Sequence, residues 1–361
     1  WLIKFYQNLP LKNIRHEANK NTLSRRSFMN FKRFNFIVGL MLITMIVLAA
    51  CGTSSAAKPA DKITVQLSWF HGVEYAGFYT AVEKGYYAEE NIEVILNAGG
   101  PEINPVNEVG NGNAQLGITS GDSIIIEKSN QKNFIAVGTI FKENPLTITS
   151  LSKDNIQKPN DLVGKTVGVY SLDLSNFFDL PFLALLSRTG LDRDSIQYAL
   201  IQDFQGANEI KAGNMDAMSG MFATDQQVMA MEAGDELSLI YYKDYGYDVY
   251  INTIFTTSEY AANNPDILTR FMRATMKGYQ YAIENPEEAA SLALKYDPAL
   301  DLGYQTEVMK VQIPFIDTGD GPLGSMNESI WKNTQDILLE FDLISSPVDL
   351  NSIYTNQFVT P

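Results

Sequence analysis

One stretch of sequence decides the fold: Ile63-Thr64-Val65-Gln66-Leu67-Ser68-Trp69-Phe70-His71-Gly72-Val73-Glu74-Tyr75-Ala76-Gly77-Phe78-Tyr79. Residues 63–67 alternate between apolar and polar side chains, which predicts a β-strand with one buried face. A helix is predicted over Ala76–Lys84, and Gly85 ends it. This β-α unit places a loop rich in aromatic and polar side chains at the carboxyl end of its strand.

The same alternation of strand and helix is repeated along the chain. Further strands are predicted at Ile92–Leu96 and Leu116–Ile118, each followed by a helix. A second set opens with a strand at Thr166–Tyr170 and a helix near Asn176–Arg188, and it ends with a strand at Leu237–Tyr241. Such alternation is typical of parallel sheets covered by helices.

Two extended segments, Leu146–Leu151 and Asp248–Thr256, are predicted to connect the two sets. The chain from Glu259 to Leu343 is predicted to be almost wholly helical, with breaks at Asn264-Pro265, Asn285-Pro286 and Asp317–Gly324. The predicted fold is therefore α/β, with two lobes that each hold a parallel-type sheet with helices, two hinge crossings and a helical C-terminal part. A chain of this length exceeds what one hydrophobic core usually supports.

The predicted lobes are discontinuous in sequence. Lobe I comprises residues 62–149 and 254–361, and lobe II comprises residues 150–253. Ligands of open α/β sheets bind beyond the carboxyl ends of the strands. Two such sheets that face each other predict a ligand cleft between the lobes.

The N-terminal region has the pattern of an export signal. Lys32 and Arg33 precede an apolar run that ends in Leu48-Ala49-Ala50-Cys51. The run is shorter than the roughly 20 residues that span a bilayer, and its end resembles a bacterial lipobox, whose cysteine is acylated. We predict a leader and lipoprotein signal peptide over residues 1–50, and a lipid anchor at Cys51 with a flexible tether over residues 51–61. The body would then stand at the outer face of the cytoplasmic membrane or in the periplasm, and the lipid anchor would be its membrane contact.

Charge and composition exclude several classes of function. The first 50 residues hold eight of the 27 Lys and Arg but one of the 42 Asp and Glu, so the remaining chain carries a net charge of −22. Such a body repels nucleic acid and anionic lipid. Cys51 is the only cysteine, and His71 is the only histidine after the predicted signal. We therefore predict no disulfide, no metal site and no cofactor.

Aromatic, acidic and amide side chains stand at the predicted strand ends, where binding residues concentrate. The candidate ligand-binding residues are Trp69, Phe70, His71, Glu74, Tyr75, Ser120, Asp122, Tyr170, Asn176, Phe222, Asp225 and Gln226. For Asp122, helix capping is the alternative to ligand contact. These strand ends hold almost no Lys or Arg, which a sulfonate or phosphate site would normally supply. Acids, amides and aromatic walls instead fit a neutral or amine-bearing heterocycle.

Several motifs resemble those of ABC-importer substrate-binding proteins in the family shared with thiamine-pyrimidine synthases (SsuA/THI5-like). They are Gln66-Leu67-Ser68-Trp69-Phe70-His71, Ala76-Gly77-Phe78-Tyr79-Thr80-Ala81, Glu83-Lys84-Gly85-Tyr86-Tyr87, Asn111-Gly112-Asn113-Ala114-Gln115-Leu116-Gly117-Ile118, Asp161-Leu162-Val163-Gly164-Lys165-Thr166-Val167-Gly168 and Gly213-Asn214-Met215-Asp216-Ala217. The resemblance covers about residues 62–358. It implies the two-lobed periplasmic-binding-protein fold of type II.

The resemblance also implies a function. The chain would be a monomeric solute-binding lipoprotein that delivers a thiamine pyrimidine precursor, of the formylaminopyrimidine or hydroxymethylpyrimidine type, to an ABC permease and its ATPase. Riboflavin or another aromatic heterocycle is the alternative ligand. The family's enzyme branch has a lysine and a histidine after the third strand and a cysteine-rich run near the second crossing. Here Thr119 and Ser123 stand after that strand, and residues 247–256 contain no cysteine, which disfavours a synthase and any enzymatic activity.

Overall fold

Two five-stranded sheets form the framework of the computed structural model, which describes residues 58–359 apart from 175, 177 and 202–205. The predicted signal peptide, Cys51 and most of the predicted tether lie outside the described residues. In chain order the strands are β1 (Asp61–Gln66), β2 (Ile92–Asn97), β3 (Leu116–Thr119), β4 (Phe134–Thr139), β5 (Leu146–Leu151), β6 (Thr166–Val169), β7 (Gln197–Leu200), β8 (Ala217–Phe222), β9 (Leu237–Tyr241) and β10 (Thr253–Thr257).

The first sheet has the strand order β2-β1-β3-β10-β4. Strands β1, β2 and β3 are parallel, while β10 runs antiparallel to both of its neighbours. The second sheet has the order β7-β6-β8-β5-β9, in which β6, β7 and β8 are parallel and β5 is antiparallel to β8 and β9. Each sheet therefore combines a parallel set with one antiparallel strand, β10 in the first sheet and β5 in the second, that directly follows a connection from the other sheet.

The crossings are shorter than the sequence predicts. Leu146–Leu151 is strand β5 of the second sheet, and the end of the second predicted crossing, from Thr253, is strand β10 of the first. The backbone needs hydrogen-bond partners once it is buried; strands β8 and β9 supply them for β5, and strands β3 and β4 supply them for β10. The connections themselves are residues 140–145 and 246–252. The exact lobe limits stay predictions.

Helices cover the sheets and form most of the C-terminal part. They are α1 (Ala76–Glu83), α2 (Tyr86–Glu89), α3 (Pro105–Gly110), α4 (Gly121–Ser129), α5 (Leu180–Thr189), α6 (Gly206–Ala212), α7 (Ala223–Ala233), α8 (Ser258–Asn263), α9 (Pro265–Glu284), α10 (Pro286–Ala293), α11 (Leu302–Ile316) and α12 (Glu328–Glu340). The predicted breaks at Asn264-Pro265 and Asn285-Pro286 are confirmed, and residues 294–301 form a further break. No helix among residues 58–359 combines the length and the apolar character that crossing a membrane requires.

Helix α1 packs very closely against helix α9 in the core beside the first sheet. A Cβ at Gly77 would lie 2.1 Å from the Tyr279 ring, and a Cβ at Gly278 would lie 2.1 Å from the Gly77 carbonyl oxygen. The absence of both side chains lets the two backbones approach. This contact holds α1, and with it the loop that precedes α1, against the first sheet.

The second lobe departs from the prediction between β6 and α5. Helix α5 begins at Leu180 rather than near Asn176. The buried Asp179 carboxylate accepts hydrogen bonds from the backbone N–H groups of Tyr170, Ser171 and Leu172 at 2.6–2.9 Å. These bonds fix the loop after β6 to Asp179, the residue that directly precedes α5.

Candidate ligand-binding site

A cavity of about 470 Å³ lies where the carboxyl ends of the parallel strands from both sheets meet. Trp69 follows β1 and Ser120 follows β3 in the first lobe, while Tyr170 follows β6 and Phe222 ends β8 in the second. This volume falls within the range of small-molecule sites. The topology therefore brings four strand ends, which are far apart in sequence, to one cleft.

Two carboxylates give the cavity its electrostatic character. Glu74 lies in the 3-10 turn Val73–Tyr75, and Asp225 lies in the first turn of α7. Both line the cavity, and the described residues that line it include no lysine, arginine, histidine or cysteine. Burial raises the pKa of Glu74 to about 7, a hydrogen bond with Tyr75 opposes this rise and the charge of Asp225 adds to it. Burial also raises the pKa of Asp225. The pocket thus favours ligand groups that donate hydrogen bonds or carry positive charge.

Asp225 is held in place by two hydroxyl groups. The Tyr304 hydroxyl, from α11, lies 3.1 Å from Asp225 Oδ1, and Thr224 Oγ1 lies 3.0 Å from Asp225 Oδ2. Both hydroxyls donate to the carboxylate, which lowers its pKa and opposes the effect of burial. The bond from Tyr304 also links the C-terminal helices to α7.

Trp69 is the aromatic wall of the first lobe, and its backbone is fixed from two sides. The Trp69 N–H donates to the Tyr75 hydroxyl at 3.0 Å, and the Trp69 carbonyl accepts from the Gly99 N–H at 2.8 Å. A Cβ at Gly99 would lie 2.4 Å from the Leu67 carbonyl oxygen and 2.6 Å from the Trp69 nitrogen. Only glycine fits there, so the loop after β2 holds the loop after β1 in position.

Seven of the twelve candidate residues line the cavity. They are Trp69, Glu74, Ser120, Tyr170, Phe222, Asp225 and Gln226. Burial raises the pKa of Tyr170, whose hydroxyl lies 3.7 Å from Met221 Sδ. The structure therefore assembles the predicted aromatic, acidic and amide groups from both lobes around one volume.

Five candidates lie outside this cavity and have other contacts. Tyr75 is buried and hydrogen-bonds Ser68 and the Trp69 backbone, so it positions Trp69. Asp122 lies in the first turn of α4, where its Oδ1 accepts from the Ser123 N–H at 2.8 Å and from the Ser120 hydroxyl; the N-cap residue is Ser120, so Asp122 does not cap the helix. Asn176 Oδ1 accepts from the Phe178 N–H at 2.9 Å. These polar groups are engaged in local structure.

Phe70 and His71 line a second, smaller pocket beside the cavity. It has a volume of about 190 Å³ and shares the side chains of Trp69, Glu74 and Asp225 with the cavity. Phe70 is 54% exposed and lies edge-on to Trp69, with ring centroids 5.4 Å apart. The His71 ring is 3.0 Å from the Tyr79 hydroxyl, and burial lowers its pKa, which Asp297 opposes.

Sequence reasoning missed part of the lining. The turn after β2 contributes Gly100, Pro101 and Ile103, the loop before α5 contributes Phe178, helix α7 contributes Met229, and the second crossing contributes Ile251 and Asn252. Polar or aromatic side chains next to a strand end are the signal in the sequence; Gly100, Pro101 and Ile103 follow β2 but are neither polar nor aromatic, and the other residues lie away from the carboxyl end of a strand. Met229 stands one helical turn after Asp225 and Gln226, so helical spacing could have found it.

Comparison with solved structures defines the fold class. The aliphatic sulphonate binding protein SsuA from Escherichia coli matches with a TM-score of 0.63 at 16% sequence identity, covering 83% of this chain and 99% of that protein. The fold is that of the periplasmic binding proteins, as the two sheets, the two crossings and the helical C-terminal part indicate. The predicted fold class is confirmed.

The chain belongs to the family described as NMT1/THI5 like, whose model matches residues 73–289. The riboflavin-binding protein RibY from Chloroflexus aurantiacus is 25% identical, over 90% of this chain and 97% of that protein. The formylaminopyrimidine-binding protein from Halalkalibacterium halodurans is 23% identical, over 87% of this chain and 96% of that protein. A 4-amino-5-hydroxymethyl-2-methylpyrimidine phosphate synthase from Legionella pneumophila is also 23% identical, over 83% and 92%. The predicted family is confirmed.

Proposed function

We propose that this protein is the solute-binding component of an ABC importer and that it binds a flat nitrogen heterocycle between its lobes. The observation that carries the proposal is the cavity itself, which has aromatic walls from both lobes and two carboxylates but no cationic side chain among its described lining residues. Flat rings stack on such walls. Amino groups on the ring would donate to Glu74 and Asp225, and bonds to charged acceptors are the stronger kind.

The ligand we propose is a thiamine pyrimidine precursor of the formylaminopyrimidine or hydroxymethylpyrimidine type. The relative named as a formylaminopyrimidine-binding protein supports this ligand. Riboflavin is the second candidate, supported by the relative RibY and by the smaller pocket that adjoins the cavity. A sulfonate is disfavoured although the fold matches SsuA, because its charge would face Glu74 and Asp225 without a compensating Lys or Arg.

We propose binding without chemical conversion. A synthase of this family would need the lysine, histidine and cysteine groups that the resemblance implies, and the cavity is lined instead by Thr119, Ser120 and Ser123 at the third strand end. The closed form would dock on a permease whose ATPase partner drives transport. A ligand shifts the lobes toward closure only by its greater affinity for the closed state.

A thermal-shift panel tests the ligand class. The panel contains 4-amino-5-hydroxymethyl-2-methylpyrimidine, formylaminopyrimidine, thiamine, riboflavin and taurine. A ligand at 100 times its Kd stabilises the folded state by about 2.7 kcal/mol, which raises Tm by several degrees. We expect the pyrimidines or riboflavin to raise Tm. A shift by taurine alone would contradict the charge argument, and recovery of a chemically altered pyrimidine would contradict binding without conversion.

A further inference from the structure

Asn252 and Gln226 present unsatisfied polar atoms at the cavity. Both residues line it, and they are 5% and 2% exposed. Asn252 Nδ2 and Gln226 Oε1 have no hydrogen-bond partner among the described residues. Buried polar atoms nearly always have a partner, because leaving one unsatisfied costs free energy. The wall of the cavity therefore holds a covered, unpaired donor and a covered, unpaired acceptor, which a ligand would reach once each side chain turns toward it.

The two atoms come from different lobes. Asn252 directly precedes β10, and its carbonyl accepts from the Ile140 N–H at 2.8 Å and from Thr139 Oγ1 at 3.3 Å. The neighbouring Tyr250 carbonyl accepts from the Gly121 N–H at 2.8 Å. These bonds fix Asn252 to the first lobe, at the end of the second crossing. Gln226 lies in the first turn of α7, directly after β8 of the second sheet.

We propose that Asn252 and Gln226 are specificity-determining residues that together select a ligand with a hydrogen-bond acceptor for Asn252 Nδ2 and a hydrogen-bond donor for Gln226 Oε1. An aromatic ring nitrogen with an exocyclic amino group has this pair. A ligand that makes both bonds joins the lobes, and it does so beside the crossing that must bend on closure. The inference rests on the proposed function, which it deepens by naming the groups that the ligand must carry.

Thr253 provides a matched control for Asn252. Its Oγ1 is also buried without a partner among the described residues, but Thr253 does not line the cavity. Successive side chains of a strand point to opposite faces, so the two neighbours share a backbone environment and differ in the side they face. The variant Thr253→Val removes an unsatisfied hydroxyl at nearly constant shape.

Isothermal titration of the protein with two probes tests the role of Asn252, and a third probe, the pyrimidine without its amino group, tests the role of Gln226. The first is 4-amino-5-hydroxymethyl-2-methylpyrimidine. The second is 2-amino-4-methylbenzyl alcohol, the same molecule with both ring nitrogens replaced by carbon. We expect the wild type to prefer the pyrimidine by about 5- to 100-fold, the range for an unmet buried donor. Asn252→Ala should lose that preference, because its affinity for the pyrimidine decreases while its affinity for the benzyl alcohol does not. Thr253→Val should keep the preference.

The outcomes separate the inference from the proposed function. Wild-type binding that Asn252→Ala and Asn252→Asp leave unchanged would overturn the role of Asn252. Equal weakening of both probes by Asn252→Ala would overturn it as well, because that result describes a structural residue. For Gln226, the variant Gln226→Met should abolish the preference for the pyrimidine over its analogue without the amino group, and a retained preference would overturn its role. If the wild type binds neither the pyrimidine nor riboflavin, the proposed function fails and this inference fails with it.

Discussion

The variant Glu74→Gln should flatten the pH dependence of stability between pH 4.5 and pH 7. Burial raises the pKa of Glu74 from 4.5 to about 7, with Tyr75 opposing and Asp225 adding to the rise. In this window the folded protein keeps the Glu74 proton and the unfolded chain loses it. Stability contributed by the protonated group is therefore complete below pH 4.5 and falls as the pH rises to about 7. A separation of about 2.5 pH units at about 1.4 kcal/mol per unit corresponds to about 3 kcal/mol.

Urea unfolding followed by tryptophan fluorescence measures this loss in the ligand-free protein at pH 4.5, 5.5 and 7.0. The Glu74→Gln variant should lose about 3 kcal/mol less than the wild type across the series, because its amide has no proton to release. The control Glu93→Gln changes an exposed carboxylate on strand β2, which pairs with Lys62 at 3.4 Å. This control should retain the wild-type pH profile of stability. Parallel profiles for Glu74→Gln and the wild type would refute the argument.

Three further substitutions test the aromatic wall, the core contact and the anchor. Trp69→Ala should weaken binding of the stabilising heterocycle at least about tenfold by titration, because a stacking wall of the cavity is lost. Phe70→Ala should have a smaller effect, because Phe70 lines only the adjoining pocket. Equal effects of the two variants would contradict this assignment. Gly77→Ala should lower the free energy of unfolding by about 1–3 kcal/mol, because its Cβ would meet the Tyr279 ring. The control Gly72→Ala should stay within about 0.5 kcal/mol of wild type, because its Cβ would meet only Gln305 Oε1 at 3.9 Å. Similar losses in both variants would disprove the close-approach argument. Cys51→Ala should release the protein from the membrane fraction of expressing cells and Ser54→Ala should not, and retention of the Cys51 variant would exclude lipid anchoring.

Much of the fold could be predicted because strand and helix periods are local. The alternation at residues 63–67 and the apolar helix after Tyr75 place β1 and α1 within two residues of where they lie. The strand at Leu237–Tyr241 is confirmed at both ends. The helix predicted near Asn176 begins later, at Leu180, and the Asp179 carboxylate before it accepts hydrogen bonds from Tyr170 and Ser171 in the loop after β6. Such contacts between a side chain and the backbone of another segment have no period and give no pattern in the sequence.

The site was predicted where it follows strand ends and missed where it depends on packing. Trp69, Tyr170 and Phe222 stand directly at strand ends, and the shared topology brings them to one cavity. Tyr75 looks like a ligand residue in sequence, but its hydroxyl is used to hold the Trp69 loop. Whether a polar side chain near a strand end faces a ligand or its own backbone depends on rotations that composition does not specify.

By itself the amino-acid sequence determined the α/β class, the acid-rich and cation-poor character of the strand ends, and the family, because these depend on residue types and on short-range periods. Tertiary structure alone decided that Asn252 lines the cavity while Thr253 does not, and that Glu74 and Asp225, 151 positions apart, line the same cavity. The physical reason is that unmet hydrogen bonds and the raised pKa of a partly buried carboxyl arise from neighbours in space, and those neighbours exist only when both sheets have assembled.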